Sequence, residues 1–195
     1  MKKSTIIGIV ILLVIIAVCG YIVLNDVQFN HKSNNNNNNN GNSNESVEML
    51  SISKGGVTID YPSNWVLAQA TSNYTILAIA KQSSVNNLEV GEVNIHVEKQ
   101  EFSGDFASYV NKTYNNVKAD EAFELVSSGE VLINDEKAQQ YIYTSSATNG
   151  VVKQHKALWF ERGNQAYVIM YSAPVDKYET NLPAADYIIQ HIKIN

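Results

Sequence analysis

The chain has 195 residues, with 19 acidic against 14 basic side chains, 45 % hydrophobic residues and one cysteine. From Glu48 onward the balance is 17 acidic to 11 basic, which disfavours nucleic acid and anionic lipid surfaces as partners, because both select basic patches. A lone cysteine excludes an intramolecular disulfide.

Residues 1–24 open with Lys2 and Lys3 and continue as an uncharged apolar run from Thr5 to Leu24. Twenty residues at about 1.5 Å each cover roughly 30 Å, the hydrocarbon thickness of a bilayer. The run is longer than a signal-peptide core and no small-residue cleavage site follows it, so a retained transmembrane helix is expected. By the positive-inside rule the amino terminus stays cytoplasmic and the rest of this single-pass chain lies outside the cell membrane. Cys19 reads as a small apolar residue of that helix. Ile16-Ala17-Val18-Cys19-Gly20 also resembles a lipoprotein box, with Val18 departing from its pattern, and either anchor leaves the domain on the same side.

Residues 25–47, which include the tract Asn34–Asn40, lack the apolar content that offsets ordering entropy and read as a disordered linker. As a flexible coil it spans about 25 Å. Sequons at Asn44, Asn73 and Asn111 are weak glycosylation signals in so asparagine-rich a chain.

Residues 48–195 suffice for one domain. Val57, Ile59 and Tyr61 alternate with polar neighbours until Pro62 stops the strand, and Gly55-Gly56 before it reads as a turn. Tyr74–Ala80 forms a second strand. Val93, Ile95 and Val97 alternate with Asn94, His96 and Glu98, predicting a strand with one wet face. Phe106, Tyr109, Val110, Thr113 and Val117 share one side of a helix, with Ser103 or Asp105 as cap. Glu124–Leu132 and Ala138–Thr144 form a hairpin around Asn134-Asp135-Glu136. Val151–Phe160 and Ala166–Ser172 form another across Arg162-Gly163-Asn164. Trp159-Phe160 and Tyr167–Tyr171 are apolar on both faces, so these strands belong mid-sheet beneath helices. A last helix lies between Pro174 and Ile192, and Pro183 is expected to break it or to open its second half. The fold class is α+β: a single, mostly antiparallel sheet covered by helices.

Gly56-Val57-Thr58-Ile59-Asp60-Tyr61-Pro62-Ser63-Asn64-Trp65 resembles the amino-terminal signature of PsbP-like and DcrB-like domains, whose first strand ends in Tyr-Pro-x-x-Trp. Proline stops the strand, a two-residue turn follows, and the tryptophan covers the sheet end. The order of elements fits over most of residues 50–195. Anchored versions with Asn- or Ser-rich linkers look like the PsbP-related surface proteins of archaea. The resemblance implies an α/β/α sandwich and a binding or accessory module. The photosynthetic member is an extrinsic, non-enzymatic subunit, and nothing in this chain speaks for photosynthesis.

Chemistry has little foothold. There is no Gly-x-Ser-x-Gly elbow and no short His-x-x-x-His spacing, so no enzyme activity and no cofactor are expected, a hydrolase with a dispersed site being the remote rival. His96 and Glu98, joined by His155 if it lies nearby, are the candidate cation ligands, although solvated strand residues explain them as well. Tyr141, Tyr143 and Trp159 are the candidate partner surface. The leading expectation is a surface-anchored, non-enzymatic module binding a membrane-protein or envelope partner. The alternative is an extracytoplasmic small-molecule or cation sensor.

Overall fold

The computed structural model describes residues 48–70, 72–86, 91–147 and 149–195. The apolar run 5–24, Cys19, the linker and the Asn44 sequon lie outside the described residues, among which no helix is long and apolar enough to cross a membrane.

The chain forms β1 (Met49–Lys54), β2 (Val57–Pro62), β3 (Trp65–Leu67), β4 (Thr75–Lys81), β5 (Asn94–Glu101), α1 (Phe106–Val117), β6 (Glu124–Ile133), β7 (Glu136–Ser146), β8 (Val152–Arg162), β9 (Gln165–Pro174), α2 (Val175–Gln190) and β10 (Ile192–Ile194). Where one sheet was expected there are two. A seven-stranded antiparallel sheet has the order β3-β4-β5-β9-β8-β7-β6, and a three-stranded sheet has the order β1-β2-β10. The second is built on the β1–β2 hairpin, and its third strand, Ile192–Ile194, begins where the last helix was expected to end and pairs with β2.

Both foreseen hairpins form. Asn134 and Asp135 take φ of 52° and 65° between Ile133 and Glu136, a two-residue turn whose left-handed pair suits short polar side chains. Gly55 and Gly56 do the same between β1 and β2, with φ of 58° and 80°.

The Tyr-Pro-Ser-Asn-Trp motif is the crossover between sheets. Tyr61 and Pro62 end β2 in the small sheet, Ser63-Asn64 turn, and Trp65 opens β3 in the large one with its ring in the core. The turn is pinned on both sides: Ser63 N donates to Glu48 O at 2.8 Å, and Gln82 N to Asn64 O at 3.0 Å.

Strand alternation builds two cores. One face of the large sheet presents Ile79, Ile95, Leu158, Phe160, Ile169 and Tyr171 to α2 and the small sheet. The opposite face gives Ala157, Trp159 and Val168 to α1. Residues on β8 and β9 are thus buried on both sides, as their unbroken apolar runs require.

Pro183 does not break α2, which runs uninterrupted from Val175 to Gln190. The ring forfeits one backbone donor. Burial of Tyr178, Ala185, Ile188 and Ile189 holds the segment regardless. Asn181 adds a tie: its Nδ2 donates to Lys177 O at 2.7 Å, and its Oδ1 accepts from Lys81 Nζ of β4 at 2.6 Å.

Candidate functional site

The α1 side of the large sheet carries every residue singled out for function. Asp105 caps α1 by accepting from Ser108 N at 2.7 Å, and its side chain, not that of Ser103, fixes where the helix starts. Val110 and Tyr114 then point into the sheet. Tyr114 escaped the sequence reading, although it stands four residues after Val110 on the buried stripe.

Tyr114 organises an aromatic cluster. Its hydroxyl accepts from Trp159 Nε1 at 2.9 Å in a buried bond, and its ring stacks on Tyr141 at 3.9 Å and meets Tyr143 edge-on at 5.3 Å. Burial drives the hydroxyl pKa of Tyr114 far upward. The expectation that Tyr141, Tyr143 and Trp159 together form a partner surface is therefore corrected. Tyr143 and Trp159 are only 5 % and 4 % exposed, because α1 lies over them. Tyr141 alone of the three reaches the surface, where its hydroxyl donates to Asn111 Oδ1 at 3.0 Å.

Beside Tyr141 is a cleft of about 280 Å³, lined by Asn111, Asn115 and Lys118 of α1 with Tyr114, Phe123, Leu125 and Tyr141. Its floor is aromatic and aliphatic, and its helical rim carries two amides and one cation. That combination suits a partner that inserts an apolar side chain and hydrogen-bonds around it. The sequon asparagine Asn111 lies in α1 at this rim, and Asn73 occupies an exposed turn before β4.

The histidines fall on the same sheet face, one register row further on. Pairing brings His155 opposite both Tyr143 and Ser172, and Asn94 opposite Ser172, with His96 two residues along β5. The wet face expected for β5 is in fact covered: the side chains of His96 and Glu98 are 12 % and 13 % exposed. His96 Nε2 stands 3.8 Å from Glu98 Oε1, which also accepts from Ser72 Oγ at 2.6 Å. His155 stacks on Tyr143 and spends both ring nitrogens on hydroxyls, with Nδ1 2.8 Å from Ser172 Oγ and Nε2 3.0 Å from Ser145 Oγ. Burial, then the neighbouring His96 and Lys153, push the His155 pKa down to about 3 against the weaker pull of Asp120. Burial also lowers His96, opposed by Glu98. Such an imidazole is a poor base at neutral pH, and its lone pair already has a partner. Among the described residues no three His, Cys, Asp or Glu side chains converge as a metal site, and His96, Glu98 and His155 are arranged as a buried polar network.

A family model described as PsbP-like protein matches residues 6–194, nearly the whole chain. The chain belongs to the PsbP-like family. Its match takes in the apolar run as well as the domain. Solved structures share the PsbP-like fold. CyanoP, the cyanobacterial PsbP of Synechocystis sp. PCC 6803, is 13 % identical over 80 % of this chain and 98 % of its own, with a TM-score of 0.56. LpqN of Mycobacterium tuberculosis, described as involved in cell envelope biogenesis, is 15 % identical over 88 % of this chain and 92 % of its own, with a TM-score of 0.52. No curated protein matches.

Proposed function

We propose that this PsbP-like protein is a non-enzymatic accessory module, held to the membrane by residues 5–24 with its domain outside, and that it docks a membrane-protein or envelope partner at the α1 cleft. The observation that carries this reading is the cleft itself: Tyr141, Phe123 and Leu125 form an accessible apolar floor inside a rim of Asn111, Asn115 and Lys118. The neighbouring histidine network supports it by default. His155 is buried with both ring nitrogens bonded to hydroxyls, so it is not poised to attack a substrate. LpqN, which shares the fold, is linked to envelope biogenesis, and this agrees with a role at the cell boundary.

Photocrosslinking tests the proposal. A benzophenone side chain replacing Asn115, at the cleft rim, should give one reproducible adduct in native membranes. The same probe replacing Tyr187, exposed on α2, should not. Equal labelling from both positions, or none from either, would remove the cleft as a docking site. The sensor alternative would use the same cleft for a small molecule, and a ligand confined to the native state would raise the melting temperature.

A further inference from the structure

The two outer strands of the seven-stranded sheet are unlike. β3 has three residues, too short to template another strand, whereas β6 has ten. Long exposed edges are ordinarily blunted by proline, by charged side chains, by bulges or by burial. Glu124–Ile133 contains neither proline nor lysine; its charges are Glu124 and Glu130, and its bulge lies near one end, at Val126. Among the described residues it pairs only with β7. Three of its apolar side chains are exposed, Leu125 by 44 %, Val126 by 55 % and Leu132 by 67 %, while Val131 and Ile133 pack against the core.

The strand is also complementary to itself. Across a two-fold axis normal to the sheet, antiparallel strands must match residues that point to the same face, so the axis passes through a residue and not between two. With the axis at Gly129, Ser128 of one copy lies opposite Glu130 of the other, and Ser127 lies opposite Val131. The register shift between Leu125 and Ser127 sets Val126 aside as a bulge and puts Leu125 and Leu132 on the same, α1-facing side. Leu125 then meets Leu132 twice, once on each side of the axis. A register centred on Glu130 brings that glutamate against itself, and like charges directly opposite are unfavourable.

We propose that β6 is a homodimer edge: two copies join antiparallel about Gly129 and make one continuous sheet from two seven-stranded ones. The axis keeps the α1 faces on one side, so both clefts point the same way. Leu125 lines the cleft and also stands in this seam, so the two sites adjoin, but the pairing rests on β6 itself, whatever the cleft binds.

The test uses the full chain in detergent, with mass measured by light scattering coupled to refractive index, and with circular dichroism confirming that each variant folds. Wild type should show twice the chain mass. Ser128→Glu sets a glutamate opposite Glu130 on both sides of the axis and should return the monomer. Adding Glu130→Lys to it restores opposite charges and should restore the dimer. On a Cys19→Ser background, Gly129→Cys should form an intermolecular disulfide on mild oxidation, since facing residues lie about 4.5–5.5 Å apart. Ser127→Cys, whose counterpart lies four residues along the partner strand, should not. A monomeric wild type, a dimer indifferent to Ser128→Glu, or equal crosslinking at 127 and 129 would each overturn the proposal. A dimer held only by the apolar amino-terminal run would show itself by that indifference.

Discussion

Acidification should destabilise this domain through His155 more than through any ordinary surface histidine. In the folded state its pKa is about 3, set mainly by burial and then by the adjacent His96 and Lys153, with Asp120 too weak to compensate. An unfolded histidine titrates near 6.5, so between about pH 6.5 and 3 the unfolded chain holds a proton that the native one refuses. The sign follows: the native state is favoured above the higher value and loses that advantage as pH falls toward the lower. Each unit of the gap is worth about 1.4 kcal/mol, so at about pH 4.5 the loss from this residue approaches 2.5 kcal/mol. His96, also lowered by burial, acts in the same direction. Urea unfolding at pH 7.5 and 4.5 should be compared for wild type and His155→Gln, which keeps a polar group facing Ser145 and Ser172. Carboxylates titrate in both proteins and cancel. The wild type should lose about 2.5 kcal/mol more than the variant over that interval. Parallel losses would refute the argument and mean that solvent reaches the imidazole.

Removing the hydroxyl in Tyr114→Phe leaves the buried Trp159 N–H without an acceptor and should cost about 1–3 kcal/mol in equilibrium unfolding. Tyr141→Ala gives up the stack on Tyr114, worth about 1 kcal/mol, yet should abolish the adduct formed from position 115 because the cleft loses its wall. Gly55→Ala forces a Cβ into a left-handed turn, with Ile76 Cγ2 2.9 Å away, and should lower stability by about 1–2 kcal/mol in the same assay. Pro183→Ala restores a backbone donor inside α2 and should raise the unfolding midpoint, by up to about 3 kcal/mol of stability.

Much of this fold was legible because strand and turn signals are local. Period-two alternation located β2 and β5, and Asn134-Asp135 located a hairpin, since the turn needs residues that tolerate positive φ. The double-sided apolar runs at Trp159-Phe160 and Tyr167–Tyr171 placed β8 and β9 mid-sheet. Misses arose where tertiary contacts override local preference. Ile192–Ile194 continues the apolar pattern of α2 and gives no sign that β2 needs a third strand beside it. Pro183 is a local helix breaker kept in place by distant burial and by the Lys81–Asn181 bond, which joins residues 100 apart. At the site, alternation put His96 and Glu98 on the polar side of β5, but it carries no information about whether that side is covered. Tyr143 and Trp159 failed as surface candidates for the same reason: whatever α1 lies over becomes core, and only pairing β7, β8 and β9 into one sheet shows what it lies over.

The small sheet gives the domain a mechanical entrance. β1 is hydrogen-bonded along one side to β2, and Met49, opposite Pro62, is the first residue of that ladder. Tension arriving from residues before Glu48 therefore first meets the Glu48–Ser63 bond and the end pair of a short hairpin. Its rungs open one after another, from Met49 toward the Gly55-Gly56 turn. The seven-stranded sheet is entered only after the crossover at Trp65, beyond the strands that take the load first. A module gripped at its cleft and pulled at its amino-terminal side would thus yield by releasing a few residues of slack, with its gripping face intact.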